Sequence, residues 1–421
     1  MKAEIIAVGS EMLTPYRADT NSLLLTAELN RLGIEVVRKV IVGDDRATLR
    51  ETFREALERV DLVVAIGGLG PTEDDVTREA AAEQLGRKLI LREEIVREMQ
   101  ERFRRFGRVM SESNKRQAMV PEGATVLENK RGTAPGLWME QQGRVVILLP
   151  GPPHELKAMV EHQVRPRLEK LSGGLRLHAR DLRVAMLPES EVDQRIAPIY
   201  TTYTDAQTTI LAAPGEIQIH LRTWSHDSEA ANRMLDELAE RIRFALGEAV
   251  FTTLGEEMEG VVAAMLYQHR ATIAVAESCT GGLVAQRLTS IPGSSTYFLG
   301  GVVCYSNELK SAWVDVPQEL IETKGAVSTE VAVTLAEGIR RGTGATLGLG
   351  ITGITGPGGG TPEKPVGTVH IALADDAATK ARAMYFPGDR ERIRMYASQA
   401  ALDLVRKYLL AKQREVTKGK G

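Results

Sequence analysis

The segment Ala276-Glu277-Ser278-Cys279-Thr280-Gly281-Gly282, followed by Cys304-Tyr305-Ser306-Asn307-Glu308-Leu309-Lys310, holds a hydroxyl nucleophile, a second hydroxyl and a base. A serine hydroxyl becomes a competent nucleophile only when a neighbour takes its proton. No histidine lies near Ser278 in sequence, so Lys310 is the candidate base, in the serine–lysine variant of triad logic. That role requires burial to bring the amine down from its free value of roughly 10.4. Trp313, three residues on, is expected to supply the desolvation. The competing use of the same residues is structural, with Ser278 and Thr280 as helix caps and Lys310 as a solvated side chain.

For such chemistry Ser278 must stand on a turn. The apolar run Ala271 to Ala276 reads as a buried strand, and Gly281 to Ser290 reads as a helix packed by Leu283, Val284 and Leu288. Backbone N–H groups at the start of that helix, around Thr280, Gly281 and Gly282, would offer an oxyanion hole or a phosphate site. Tyr305 and Lys310 lie five apart, on different faces of any single helix. Tyr305 is therefore placed at the end of a strand 301–305, and Lys310 in the first turn of a helix capped by Ser306 or Asn307.

Residues 348–353 (GLGITG) match the dinucleotide pattern G-x-G-x-x-G, but the glycine- and proline-rich residues 354–365 cannot continue as the helix that pattern needs. The segment reads instead as a flexible loop presenting backbone amides, Thr352 and Gly353 to a ligand, between strands 345–350 and 367–374, or as a plain glycine-rich hairpin loop. Cys279 and Cys304, the only cysteines, each adjoin a proposed catalytic position. Small buried cysteine is their expected use, the alternatives being a thiol nucleophile with no identifiable histidine partner and a disulfide between them.

The N-terminal third alternates strand and helix: strand 3–8, helix 21–32, strand 35–42, helix 46–59, strand 62–66. That rhythm implies a parallel sheet with helices on both faces, whose ligands bind beyond the carboxyl ends of the strands. The loops there are Gly9-Ser10-Glu11, Gly43-Asp44-Asp45 and Gly67-Gly68-Leu69-Gly70-Pro71-Thr72-Glu73-Asp74-Asp75-Val76-Thr77. The last combines glycines that let backbone approach a phosphate with carboxylates that can hold a hard cation, so a diphosphate bridged by Mg²⁺ or a similar divalent metal would suit it. The bland use of Asp74 and Asp75 is first-turn capping.

The chain of 421 residues has a formal net charge of −3 and 26% charged residues, with no bulk basic field to drive nucleic-acid binding and few aromatics for base stacking. Two cysteines exclude a disulfide scaffold, no apolar run approaches bilayer length, and the N-terminus leads directly into a strand, so a cytoplasmic protein is expected.

AESCTGG, GSSTYFLGGVVCYSNELK, GAVS (325–328), GITGITGPGGGTPEKPVGTV and FPGDR (386–390) together resemble the C-terminal domain of the competence/damage-inducible family, CinA. Stand-alone versions of that domain hydrolyse nicotinamide mononucleotide to nicotinate mononucleotide and ammonia. The resemblance implies Ser278 as nucleophile, Lys310 as base, Tyr305 as the relay between them, and Arg390 as a phosphate fork, with no cofactor. GGLGPTEDDVT and LPGPPHE (149–155) resemble the molybdopterin-binding, MoaB/MogA-like domain. In this family it is associated with metal-dependent cleavage of ADP-ribose to AMP and ribose 5-phosphate. The positions implied are Gly9, Gly67, Gly68, Gly70, Pro71, Thr72, Pro150 and Gly151 for nucleotide, and Glu11, Asp44, Asp74 and Asp75 for metal. Position 10 is serine where the family often has aspartate, so in that loop a metal role falls on Glu11. Both substrates are breakdown products of NAD, which supports the pair. The rival functions are a molybdopterin-related binding protein and a competence or recombination accessory factor.

The expected organisation is α/β: a doubly wound sheet over 1–170, a small α+β, KH-like module over 171–254 behind the linker Ser172-Gly173-Gly174, and an α/β amidase domain over 255–421. The central module shows strands 182–187 and 216–223 and a helix 229–246 but no G-x-x-G clamp, which argues for a spacer or dimer contact over RNA binding. A homodimer is expected. The closing helix 389–414 should end in a disordered charged tail, 412–421.

Overall fold

The computed structural model describes residues 1–171 and 173–418, so Ser172 of the linker and the last three residues of the tail lie outside the described residues. The chain separates into two compact units, Met1–His178 with Trp224–Ala231, and Ala179–Thr223 with residues 232 onward.

The first unit is built on a six-stranded sheet. Its order is Glu35–Val42, Lys2–Val8, Leu62–Ile66, Arg144–Leu149, Gly136–Gln141, Thr125–Leu127. The first four strands run parallel and the last two are antiparallel additions. Period-two alternation divides the strand side chains between two cores: Ile6, Val8, Val63 and Ala65 pack with Leu49 and Phe53 on one face, Ile5, Leu62, Val64 and Ile66 with Leu25 and Leu29 on the other. Every parallel strand therefore ends at the same edge, where the loops after Val8, Val42, Ile66 and Leu149 converge.

A four-stranded sheet, ordered Gln207–Ala213, Glu216–Ser225, Arg176–Ala185, Val250–Thr252, carries the helices Glu189–Tyr200 and Ser228–Leu246. The sequence reading does not include the strand Gln207–Ala213, whose largely exposed QTTILAA run buries no residue, or the helix Glu189–Tyr200, which contains Pro198. A five-stranded sheet follows, ordered Phe298–Val303, Ile273–Glu277, Leu347–Gly353, Thr368–Ala374, Thr379–Tyr385, with the first three strands parallel and the last two antiparallel.

Three expectations need correction here. Residues 348–353 are strand to the last residue, not loop. Gly348 and Gly350 are glycine because a Cβ at either would collide with the carbonyls of Ala336 and Ala332 on the helix Thr329–Thr343, so they allow close helix–strand packing and do not face a ligand. The helix after Ser278 starts at Leu283, since Gly281 and Gly282 hold positive φ of 60° and 91°. The charged tail is helical through Lys418.

Candidate active site

Ser278 directly follows Ile273–Glu277, the second strand of the C-terminal sheet, held between neighbouring strand ends by Ser278 N donating to Ile351 O at 3.0 Å and Cys304 N donating to Glu277 O at 2.9 Å. It is 7% exposed. The local signal is an apolar strand that stops at a polar residue followed by two left-handed glycines, which turn the chain sharply enough to leave the serine at the sheet edge.

The amides beyond it are arranged differently from the sequence reading. Glu277, almost fully buried, turns its carboxylate into the start of the following helix and accepts from Gly282 N at 3.0 Å, Val284 N at 3.2 Å and Ala285 N at 2.8 Å. Gly281 N donates to Ser278 O at 3.1 Å. The amides of Gly281 and Gly282 are thus occupied internally, and a carboxylate already sits on the positive end of the helix. Among the described residues the amides of Cys279 and Thr280 have no acceptor, so the open amides begin one residue before the expected set and include only Thr280 of it. Thr280 is completely buried with its hydroxyl unpartnered, and its carbonyl accepts from Arg394 Nη2 at 2.8 Å.

Lys310 lies in the first turn of the helix Asn307–Val314, which Ser306 caps by accepting from Leu309 N. It is 2% exposed, and burial depresses its amine below the ordinary lysine value, while the nearby Cys304 and Cys279 thiols oppose that shift. Trp313 is 56% exposed and does not provide that burial. Lys310 Nζ donates to Tyr305 O at 3.1 Å and Ser306 O at 3.5 Å, which accounts for both N–H bonds of a neutral amine and leaves its lone pair unused.

Tyr305, two residues beyond its strand, accepts through its hydroxyl from Arg390 Nη2 at 2.7 Å. Arg390 Nη1 also donates to Thr355 Oγ1 at 2.9 Å and Gly356 O at 3.0 Å, joining Tyr305 to the glycine-rich loop. Thr352 is buried and donates to Ala326 O at 2.8 Å. Gly353 is a packing glycine, since a Cβ there would lie 2.8 Å from Val369 Cγ2 and 3.0 Å from Cys279 Sγ. The two cysteines are free and buried, as expected, and burial pushes the Cys279 thiol up to about 12, which removes it as a nucleophile.

Sequence reasoning overlooked Glu277, Arg394 and Lys364. Lys364 Nζ donates to Lys324 O and Val327 O, both at 2.7 Å, and pins the glycine-rich loop to the GAVS segment. Only Arg394 left a readable signal, its i,i+4 spacing from Arg390 on one helix face.

At the carboxyl edge of the N-terminal sheet a cleft of about 590 Å³ is lined by Gly9, Glu11, Asp44, Gly67, Gly68, Gly70, Asp74, Asp75, Pro150 and Gly151. Pro71 and Thr72 stand outside its lining, but Thr72 donates through both N (2.9 Å) and Oγ1 (2.5 Å) to Asp75. Gly9 N is bound to Val42 O, whereas the amides of Gly68, Leu69 and Gly70 have no acceptor among the described residues and remain open to a ligand. Ser10 and Asp44 exchange hydrogen bonds, Ser10 N to Asp44 Oδ2 at 2.8 Å and Asp44 N to Ser10 Oγ at 3.0 Å, so Ser10 fixes the loop. Arg17, Asp19, Asn21 and Glu155 also line the cleft, and none was singled out from sequence.

Among the described residues no group of three or more His, Cys, Asp and Glu is arranged to hold a metal. Magnesium held by one or two carboxylates plus substrate phosphates needs no such cage, and Glu11 and Asp74 are carboxylates on the cleft wall that would hold it.

Family models match along the chain: a probable molybdopterin binding domain over residues 4–170, the KH domain of damage-inducible protein CinA over 179–252, and the CinA C-terminal domain over 255–409. A CinA-like protein of Koribacter versatilis is 51% identical, covering 97% of this chain and 100% of its own length. The chain belongs to the CinA family. A putative competence-damage inducible protein of Desulforudis audaxviator is 44% identical over 97% of this chain and 99% of its own. Among solved structures, the protein CinA from Thermoplasma acidophilum is 36% identical over 39% of this chain and 96% of its own, with a TM-score of 0.37. Within this CinA chain the N-terminal domain is of the molybdopterin-binding type and the central module KH-like. Among the described residues no helix is long and apolar enough to cross a membrane.

Proposed function

We propose that the C-terminal site hydrolyses the amide of nicotinamide mononucleotide, giving nicotinate mononucleotide and ammonia. The observations that carry this reading are a buried strand-end serine beside two unoccupied amides and a buried lysine whose amine burial depresses below the ordinary lysine value. Ser278 Oγ attacks the carboxamide carbon as Lys310 takes its proton. The amides of Cys279 and Thr280 hold the developing oxyanion. The C–N bond then breaks, Lys310 returns the proton to the departing ammonia, and water hydrolyses the acyl-serine by the same route. Arg390 and Arg394 supply a fork for the 5′-phosphate, and Tyr305 is fixed by Arg390 at the rim.

In the N-terminal cleft, the open amides of Gly68, Leu69 and Gly70 beside Glu11 and Asp74 favour a second activity, divalent-metal-dependent cleavage of ADP-ribose to AMP and ribose 5-phosphate. Magnesium would neutralise the diphosphate there. The proposed setting for both activities is a cytoplasmic homodimer engaged in pyridine-nucleotide recycling.

The test is incubation with nicotinamide mononucleotide, following ammonia and nicotinate mononucleotide. Ser278→Ala and Lys310→Ala should abolish turnover and Cys279→Ala should keep it; an inactive wild type would sink the amidase reading.

A further inference from the structure

The central module is seated on the C-terminal site through a chain of buried polar side chains. Its hairpin between Gln207–Ala213 and Glu216–Ser225 ends at Gly215, whose φ is +77° and at which a Cβ would lie 3.0 Å from Cβ and Cγ of Gln399 on the closing helix. Glu216, 7% exposed, accepts from Arg183 Nη1 at 2.8 Å and from Gln399 Nε2 at 3.3 Å. Gln399 Oε1 in turn accepts from Arg287 Nη2 at 2.7 Å. Arg287 also donates to Ser398 Oγ at 2.9 Å and to Glu259 Oε2 at 2.7 Å.

Both ends of this chain matter. Arg287 belongs to the helix Leu283–Thr289, whose first amides are gripped by Glu277, the residue before Ser278. Gln399 lies on the helix that carries Arg390 and Arg394. The same helix is held again by the module further along, where Arg406 Nη2 donates to Glu248 O at 2.8 Å and Arg414 pairs with the Glu248 carboxylate. Apolar packing agrees, because Ala185 of the module is buried in the C-terminal core and Met186 packs against it.

We propose that Glu216 and Gln399 are positioning residues through which the central module holds the Ser278 turn and the arginine-bearing helix in register. A tether that merely separated two enzymes would have no need to bury an arginine, a glutamate, a glutamine and a serine with matched donors and acceptors. Such groups lower stability unless their geometry is met, so they select one seating of the module over others. The inference rests on the amidase reading for its catalytic consequence only.

The experiment uses full-length protein carrying Glu216→Ala, Gln399→Met or both, with Asp236→Asn, which loosens only the exposed Arg180 pair on the module, as control. Hydrogen exchange of residues 279–289 and 390–399 is read beside KM and kcat for nicotinamide mononucleotide. Each single variant should speed exchange in both segments and lower kcat/KM roughly 10-fold, with kcat carrying most of the loss because the reacting groups are misplaced. The double variant should be no worse than either single one, as for members of one network. Where Glu216→Ala strips protection from the central sheet itself, Gln399→Met decides. Wild-type exchange in both segments for Gln399→Met, or losses that simply add in the double variant, would overturn the relay. An inactive wild type would overturn the amidase reading instead, while exchange would still decide the relay.

Discussion

Glu277 and Ala285 are joined by a 2.8 Å hydrogen bond from the Ala285 amide to the buried Glu277 carboxylate, and this contact fixes the shape of the nucleophile turn. It occupies the positive start of the helix Leu283–Thr289 with a carboxylate of the chain itself. Replacing Glu277 by alanine leaves three buried amides unpaired. Glu277→Ala should therefore lower stability by about 3 kcal/mol and abolish amidase turnover, read from the denaturant midpoint and ammonia release.

Lys310 should give the amidase its pH dependence. The neutral amine is the base, so activity should rise with pH through the depressed lysine value and level off above it, with the rise placed below 10.5. Stability should follow the same direction. Between the folded value and 10.5 the unfolded chain binds the extra proton, so unfolding free energy rises with pH in that window. Lys310→Met should remove this contribution to the slope, measured by denaturation across pH.

Cys279 beside the nucleophile should be chemically silent in the folded protein. With its thiol pushed up to about 12 by burial, iodoacetamide at neutral pH should label it only after denaturation. Labelling of the native protein at the rate of an exposed thiol would contradict the burial described.

Arg390 bridges Tyr305 and the glycine-rich loop, so its loss should affect phosphate-bearing substrate selectively. Arg390→Lys should raise KM for nicotinamide mononucleotide roughly 10-fold, since a lysine cannot reproduce the fork. Turnover of the phosphate-free riboside should change little by comparison.

In the N-terminal cleft, Asp74→Ala or metal chelation should remove ADP-ribose cleavage and leave amide hydrolysis intact, because the acidic loop lies in a different compact unit from Ser278. Parallel assays of AMP and ammonia release check this.

The sequence by itself determined most of the parallel strands, the turn at Ser278 and the family. These rest on short-range signals: near-continuous apolar runs in 3–8 and 62–66, an apolar strand that halts before paired glycines, and a serine cap ahead of Lys310. Tertiary structure decided how those pieces act. Glycines 348 and 350 look like a nucleotide loop until the helix Thr329–Thr343 is laid against them. Trp313 is the nearest large side chain in sequence, yet Lys310 is buried elsewhere in the fold, beside Cys279 and Cys304. Tyr305 meets Arg390, and Glu216 meets Gln399, across stretches of chain whose spacing encodes nothing about the meeting. Local pattern fixes which backbone conformation a segment prefers, whereas hydrogen-bond partners and burial depend on atoms that only the packed chain brings within reach.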